Sequence, residues 1–326
     1  MIAFRLAFLF LALLIDKAIG DPPRLWARFP HPVVLFGKAV SAADRRLNVP
    51  GLGPANAKSR GILAVVLLVL LALACGILVS AVFSGLWLLG AAMEILVVAI
   101  LLAQKSLADH VEAVAEAMRR DGVAGGRRAV SLIVGRDPQT LDGAGVSRAA
   151  IESLAENYSD GVVAPAFWYV LLGLPGIFAY KMINTADSMV GHKSETYLHF
   201  GWASARLDDL VNLIPARLSA IFIALGAWTS ENLTAMKRSL TIARVDHGKH
   251  RSPNSGWPEA AMAGAIDLQL AGPRIYDGVL VNEEMLNIGG RRNVTFADID
   301  RALRVFDHAC YWLAAFTAAL LMLQLA

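Results

Sequence analysis

The sequence predicts an all-α, polytopic integral membrane protein, and three observations carry that prediction. Its 326 residues have a mean hydropathy of +0.52 and are 56% hydrophobic but only 17% charged, against ~25% charge in a soluble domain. Apolar runs that approach the roughly 20 residues a helical span requires lie at 62–83, 86–103, 162–180 and 310–326. Strand-like alternation persists nowhere, and no internal repeat or low-complexity tract interrupts the helical pattern. The expectation is one membrane-embedded domain over 1–326, with about five transmembrane helices, one or more broken or re-entrant segments, and helical cytoplasmic loops.

The N-terminal run at 2–15 imitates a secretory signal, with Arg5 ahead of it and Ala18-Ile19-Gly20 as a cleavage-like end. Asp16 and Lys17 fall between the apolar run and that end, which favours a retained first helix, spanning by tilt or local thinning of the bilayer. Runs 62–83 and 86–103 read as a hairpin of two helices about Ser84-Gly85. Ser106 to Arg120 reads as an amphipathic helix, broken by Asp121-Gly122 and Gly125-Gly126. A short second helix over Arg127 to Gly135 is stopped by Arg136-Asp137-Pro138. Run 162–180 contains Pro165, Gly173, Pro175 and Gly176, which suit a broken segment lining a cavity. The run at 211–228 reaches spanning length only by including Pro215 and Arg217. Thr295-x-x-Asp298 resembles a capping box opening a helix that runs into the last span.

Net charge is +3, and the cations are unevenly placed: eight Lys/Arg between Asp16 and Arg60, seven between Gln104 and Asp160, and ten between Thr229 and His308. By the positive-inside rule these regions face the cytoplasm. The two cysteines, Cys75 and Cys310, exclude a disulfide framework and a thiolate zinc site. The histidines offer no convincing set of ligands. No phosphate loop occurs, since GLGPANAKS has Ala57 where such a loop needs glycine, and no nucleic-acid motif is present.

Chemistry is concentrated in a block at 147–217 and a loop at 246–262. Charge beside lipid is costly and survives mainly where it lines a cavity or substrate path, so the block is the active-site expectation. Arg148, Glu152, Glu156 and Asp160 recur every fourth residue, one helix face, with Asn157 beside them. Carboxylates there can hold a magnesium ion or a substrate ammonium, or act as a base; a solvated ion-pair face is the plainer alternative. Lys181, Asn184, Asp187 and Ser188 fall within two helical turns, and their oxygen ligands suit magnesium. Arg206, Asp208, Asp209, Asn212 and Arg217 form the third element. The loop supplies His250, Ser252, Asn254, Trp257 and Glu259.

The strings IESLAENYSDGVVAPAFWYV, YKMINTADSMVGHK, FGWASARLDDLVNLIPARLSA and HRSPNSGWPEAAMAGA, with Gly20-Asp21-Pro22 and His31-Pro32-Val33, resemble the CobD/CbiB family of cobalamin biosynthesis over nearly the whole chain. The resemblance implies an adenosylcobinamide-phosphate synthase, a ligase that joins adenosylcobyric acid to (R)-1-amino-2-propanol or its O-phosphate using ATP and Mg2+. It implies a multi-pass protein of the bacterial inner membrane with a site open to the cytoplasm, possible contacts with other pathway enzymes, and no nucleic acid partner. Acid–amine ligation needs charge neutralisation at phosphates and an acid to steer or deprotonate the ammonium. The expected roles are Asp187, Asp208 and Asp209 on magnesium; Lys181, Arg206 and Arg217 on phosphate; and Glu152 or Glu156 on the amine. Asn157, Asn184 and Asn212 would orient substrate amides. His250, Ser252, Asn254 and Trp257 would contact the corrin or the aminopropanol phosphate, Trp257 by stacking. Three positions depart from the family pattern: Tyr158, His192 and Ala271, the last where a Gly-Gly pair is commoner. A corrinoid transporter also needs intramembrane polar groups and broken helices, but no inverted repeat is present. A scaffold for pathway enzymes is the third reading.

Overall fold

The computed structural model describes the backbone of all residues except Arg136, Asp277, Gly278 and Asn282, and the side chains except those of Pro23, Arg136 and 274–282. Helices account for about three quarters of the described residues, which bears out the all-α expectation. In order they are α1 (Ile2–Ile19), α2 (Pro23–Trp26), α3 (Pro32–Leu47), α4 (Pro54–Ser84), α5 (Trp87–Leu101), α6 (Gln104–Val130), α7 (Gly143–Tyr158), α8 (Ala164–Leu172), α9 (Leu174–Val190), α10 (Trp202–Val211), α11 (Leu213–Ser230), α12 (Leu233–Asp246), α13 (Gly256–Ile266) and α14 (Phe296–Leu325). A π-helical turn, Ser159–Val163, joins α7 to α8. Among the described residues, four stretches are long and apolar enough to cross a membrane: Pro54–Ser84, the α5–α6 stretch Trp87–Val130, Leu213–Ser230 and Phe296–Leu325.

The chain divides into two compact units. The first comprises Met1–Ala103, Ala164–Asn212 and Thr317–Ala326; the second comprises Gln104–Val163 and Leu213–Phe316. In the first unit α9 packs on α3, α4 and α10, and α1 packs on α5 and α8. Val40, Ala64, Leu68, Ala72, Met182, Ala186, Val190 and Phe200 form a core there. In the second, α11, α12 and α13 pack together, α7 packs on α6 and α13, and Tyr158 meets Phe306 edge to face at 5.5 Å.

The run 162–180 is broken, as Pro165, Gly173 and Pro175 predict. Gly173 takes φ 69°, ψ −151°, a conformation that costs a side-chain-bearing residue far more than glycine. Arg5 reaches this break and donates to Leu171 O at 2.7 Å and Val170 O at 3.3 Å. Those are carbonyls near the end of α8, without partners in their own helix. Helix starts follow local chemistry elsewhere: Asn232 accepts from Ala235 N at 2.9 Å to open α12, and Asp298 accepts from Thr295 N at 2.9 Å to open α14, the capping expected from Thr295-x-x-Asp298.

Two expectations are corrected. Gly125 and Gly126 do not break α6: both are helical and buried, and only Gly122, at φ 64°, kinks it. Gly126 faces Met118 and Val146 so closely that a side chain would not fit, so close packing rather than chain breaking explains that glycine. The short helix expected to Gly135 ends at Val130; Arg136 of its expected stop lies outside the described residues, while Asp137 caps a 3-10 turn. Among the described residues, four strands of two or three residues also occur, β1 (Leu270–Ala271), β2 (Arg274–Tyr276), β3 (Val279–Val281) and β4 (Met285–Leu286), with β1 paired antiparallel to β4 and β2 to β3. Segments that short carry no readable alternation.

Candidate functional site

In the first unit, α9 and the end of α10 assemble an acidic and amide-rich cluster. Tyr180, Asn184 and Asp187 recur at helical spacing on α9, while Asp208, Asp209 and Asn212 close α10. Tyr180 OH donates to Asn212 Oδ1 at 3.0 Å, and Asn212 Nδ2 donates to Asp208 Oδ2 at 2.9 Å. Asn212 thus links Tyr180 to Asp208 through both ends of its amide, an arrangement that aims the Asp208 carboxyl. Burial first and then the charge of Asp187 push the Asp208 carboxyl up to about 7, against the Asn212 and Asn184 amides, which favour its ionised form. Its other oxygen, Oδ1, is buried without a hydrogen-bond partner. Gly191 closes the cluster: a side chain there would overlap Asp187 Oδ1, so the Asp187 carboxylate lies against bare backbone.

Asp209 differs from its neighbour. Burial raises its pKa, while Arg206 and Lys193 oppose the rise, and the Arg206 guanidinium lies 3.4 Å away. Ser188 Oγ donates back to Asn184 O at 2.9 Å, and Lys181 is buried on the same helix. Among the described residues no group of three or more His, Cys, Asp or Glu side chains is placed to hold a metal ion. Magnesium needs only one or two carboxylates besides phosphate oxygens and water. The Asp187–Asp208 pair, with its unpartnered buried oxygen, fits that demand; Asp209 is engaged with Arg206.

The second unit holds the remaining predicted residues. Glu152 is buried, and its Oε1 accepts from Ala271 N at 2.7 Å. Ala271 sits at φ 59°, a left-handed conformation that suits glycine better than alanine; Glu152 thereby holds a strained turn. Glu156 accepts from Ser255 Oγ at 2.9 Å, which ties α7 to the loop before α13. Asn157 turns back to Ser153 O at 2.9 Å, and Asp160 lies in the π-helical turn, whose wider winding takes it off the regular α7 face.

The loop is built around its own backbone. His250 Nδ1 accepts from Ser252 N at 3.0 Å, and His250 Nε2 faces Glu259 Oε1 at 3.5 Å, so the neutral ring with Nε2–H pointing at Glu259 satisfies both contacts. Ser252 Oγ accepts from the Asn254 and Ser255 amides, each at 3.2 Å. Asp246, which the sequence did not single out, accepts from Asn287 N at 2.7 Å and pairs with Lys249 at 2.6 Å. Trp257 stacks on His247 at 3.9 Å and carries the Arg217 guanidinium 4.9 Å from its ring centre. The platform expected to be open for a flat ligand is therefore shared with His247 and Arg217, and the exposed Arg217 is its polar edge. Two of these partners were legible earlier: Tyr180 by its spacing to Asn184, and His247 by standing ten residues before Trp257 in the same loop.

A sequence profile of the CobD/Cbib protein family matches residues 9–306. A Sinorhizobium sp relative called cobalamin biosynthesis protein CobD is 59% identical over 318 residues, covering 98% of each chain. The protein of that name from Brucella suis biovar 1 is 53% identical over 302 residues, 93% of this chain and 92% of the relative. One from Rhodobacter capsulatus is 46% identical over 307 residues, 93% of each. No solved structure matches. The chain thus belongs to the CobD/CbiB family, and its role lies in cobalamin biosynthesis.

Proposed function

We propose that the protein is an adenosylcobinamide-phosphate synthase, joining a propionate carboxylate of adenosylcobyric acid to (R)-1-amino-2-propanol or its O-phosphate at the expense of ATP. The observation that carries the chemistry is the Asp187–Asp208 pair, with one carboxylate oxygen buried and unpartnered. A buried acid of that kind beside a second acid is costly and is retained where a cation completes it. Asp187 and Asp208 would hold magnesium, which supplies neutralising charge at the phosphate oxygens of ATP.

A carboxylate does not condense with an amine unaided in water. In the proposed reaction a substrate carboxylate oxygen attacks the γ-phosphorus of ATP, the β–γ phosphoanhydride bond breaks with ADP as the leaving group, and an acyl phosphate forms. The amine nitrogen then attacks the acyl carbon, the C–N bond forms, the C–O bond to phosphate breaks, and the ammonium proton leaves to a base. Asn184 and Asn212 orient Asp208, and Arg206 with Lys193 adds positive charge beside Asp209. Glu156, held by Ser255, is the acid assigned to the substrate ammonium. Arg217, presented on Trp257, would donate hydrogen bonds to phosphate oxygens. The site opens to the cytoplasm of the bacterial inner membrane, where ATP is available and where the cation-rich segments belong.

The test is a mass-spectrometric assay on detergent-purified protein with adenosylcobyric acid, aminopropanol phosphate, ATP and magnesium. Amide formed by wild type and lost in folded Asp187→Ala and Asp208→Asn supports both reaction and site. Absence of product from folded wild type, with pathway partners added, rejects the synthase.

A further inference from the structure

The region of α2 and α3 carries chemistry that the proposed reaction does not use. α3 turns Phe36, Ala39, Val40, Ala43 and Leu47 inward against a core that includes Ala64, Leu68 and Ala72 of α4. Its outer side is a groove of about 350 Å³ lined by Val34, Gly37, Lys38, Ser41 and Arg45. Val34, Lys38, Ser41 and Arg45 follow one another at three- and four-residue steps, with Gly37 beside Lys38, so they form a single strip along the helix.

The cations of this strip have no acid to answer them. Among the described residues, Lys38 and Arg45 make no ion pair. Asp44, the acid nearest in sequence, is taken by Asn48 Nδ2 at 3.0 Å and Tyr197 OH at 3.2 Å. Asp21, the other acid of the region, faces Trp26 Nε1 at 3.2 Å and His31 Nε2 at 3.3 Å. Arg24, Arg28 and Arg46 add further positive charge, interleaved with exposed Leu25, Phe29, Val34 and Leu35. Uncompensated basic groups alternating with exposed apolar side chains are the pattern of a helix at a membrane surface.

Its position agrees. The apolar run of α4 begins at Gly61, directly after Lys58 and Arg60, and α3 packs on the first turns of that run. Lys58 lies 3.6 Å from the centre of the exposed Trp202 ring, a cation and an aromatic of the kind that mark the boundary of lipid and water.

We propose that the outer strip of α3 binds an anionic phospholipid, with Lys38, Ser41 and Arg45 at the headgroup phosphate and Val34 and Leu35 against the acyl chain. The apolar end of the groove selects a lipid over a free anion, and the two unanswered cations select an anionic lipid over a zwitterionic one.

Native mass spectrometry of the full-length protein in detergent, with equimolar phosphatidylglycerol and phosphatidylcholine, tests this. Phosphatidylglycerol is expected to be retained preferentially. Lys38→Gln and Arg45→Gln should each lower that retention about fivefold, and together about 25-fold, whereas Arg120→Gln, an exposed arginine on α6, should not. The charge-keeping pair Lys38→Arg with Arg45→Lys should restore it, which separates loss of charge from loss of fold. Unchanged retention in the folded double glutamine variant, equal retention of phosphatidylcholine, or displacement by millimolar inorganic phosphate would overturn the proposal.

Discussion

Asp208→Asn should stabilise the magnesium-free protein, and by an amount that depends on pH. Burial and Asp187 raise the Asp208 carboxyl from 3.8 to about 7. The folded state therefore binds a proton more tightly than the unfolded chain, so this group's contribution to stability is complete below pH 3.8 and lost as pH rises towards and through 7. At 1.36 kcal/mol per pK unit, this acid costs about 2 kcal/mol at pH 5, where it must take up a proton on folding, and about 4 kcal/mol at pH 8, where it folds ionised. An asparagine keeps an oxygen for the Asn212 amide and never ionises, so it recovers that difference. At roughly 2 °C per kcal/mol for a chain of this size, thermal melting in detergent with a chelator should place the variant about 4 °C above wild type at pH 5 and about 8 °C above at pH 8. Adding magnesium at pH 8 should raise wild type by about 2.7 kcal/mol at a hundredfold excess over its Kd and leave the variant unmoved. An equal gap at both pH values, or a variant less stable than wild type at pH 8, would refute the view that Asp208 is held against its preference.

Other consequences are as direct. Magnesium affinity, followed by isothermal calorimetry, should rise with pH up to about 7, by at most tenfold per unit, and then level off, because the ion displaces the Asp208 proton. Gly191→Ala should move the Asp187 carboxylate and weaken magnesium binding by about tenfold or more, while circular dichroism stays native; unchanged affinity would show that Asp187 does not contribute. Arg5→Met leaves Leu171 O and Val170 O at the Gly173 break without their donor and should cost about 1–3 kcal/mol, seen as a lower melting temperature. Ala271→Gly relieves the left-handed strain and should stabilise by about 1 kcal/mol, seen as a higher melting temperature; an unchanged or lower value would show that the turn carries no such strain.

The helical, membrane-embedded class was legible because hydropathy and span length are local quantities: α4, α5 and α14 follow their apolar runs. The break within 162–180 was equally legible, since proline and glycine act on their own backbone. The glycines of α6 misled for the same reason, because a helical glycine kept for close packing and one kept for a turn look alike until the neighbouring helix is placed. The acidic elements were identifiable as chemistry beside lipid, yet the separate behaviour of Asp208 and Asp209 was not. They are adjacent in sequence, but α10 turns one towards Asn212 and Asp187 and the other towards Arg206.

Residue composition and motif order were enough to place the chain in its family and in the all-α membrane class, and to pick out the polar blocks beside the apolar runs. Folding alone decided which of those residues meet: that Glu152 holds a turn, that Trp257 already has His247 and Arg217 for company, and that the charge of Asp187 bears on the buried Asp208. The physical reason is range. Hydropathy, capping and backbone breaking act within a helical turn or along one segment, whereas a pKa, a stacked ring or a pair of carboxylates depends on residues that come together only when distant helices pack.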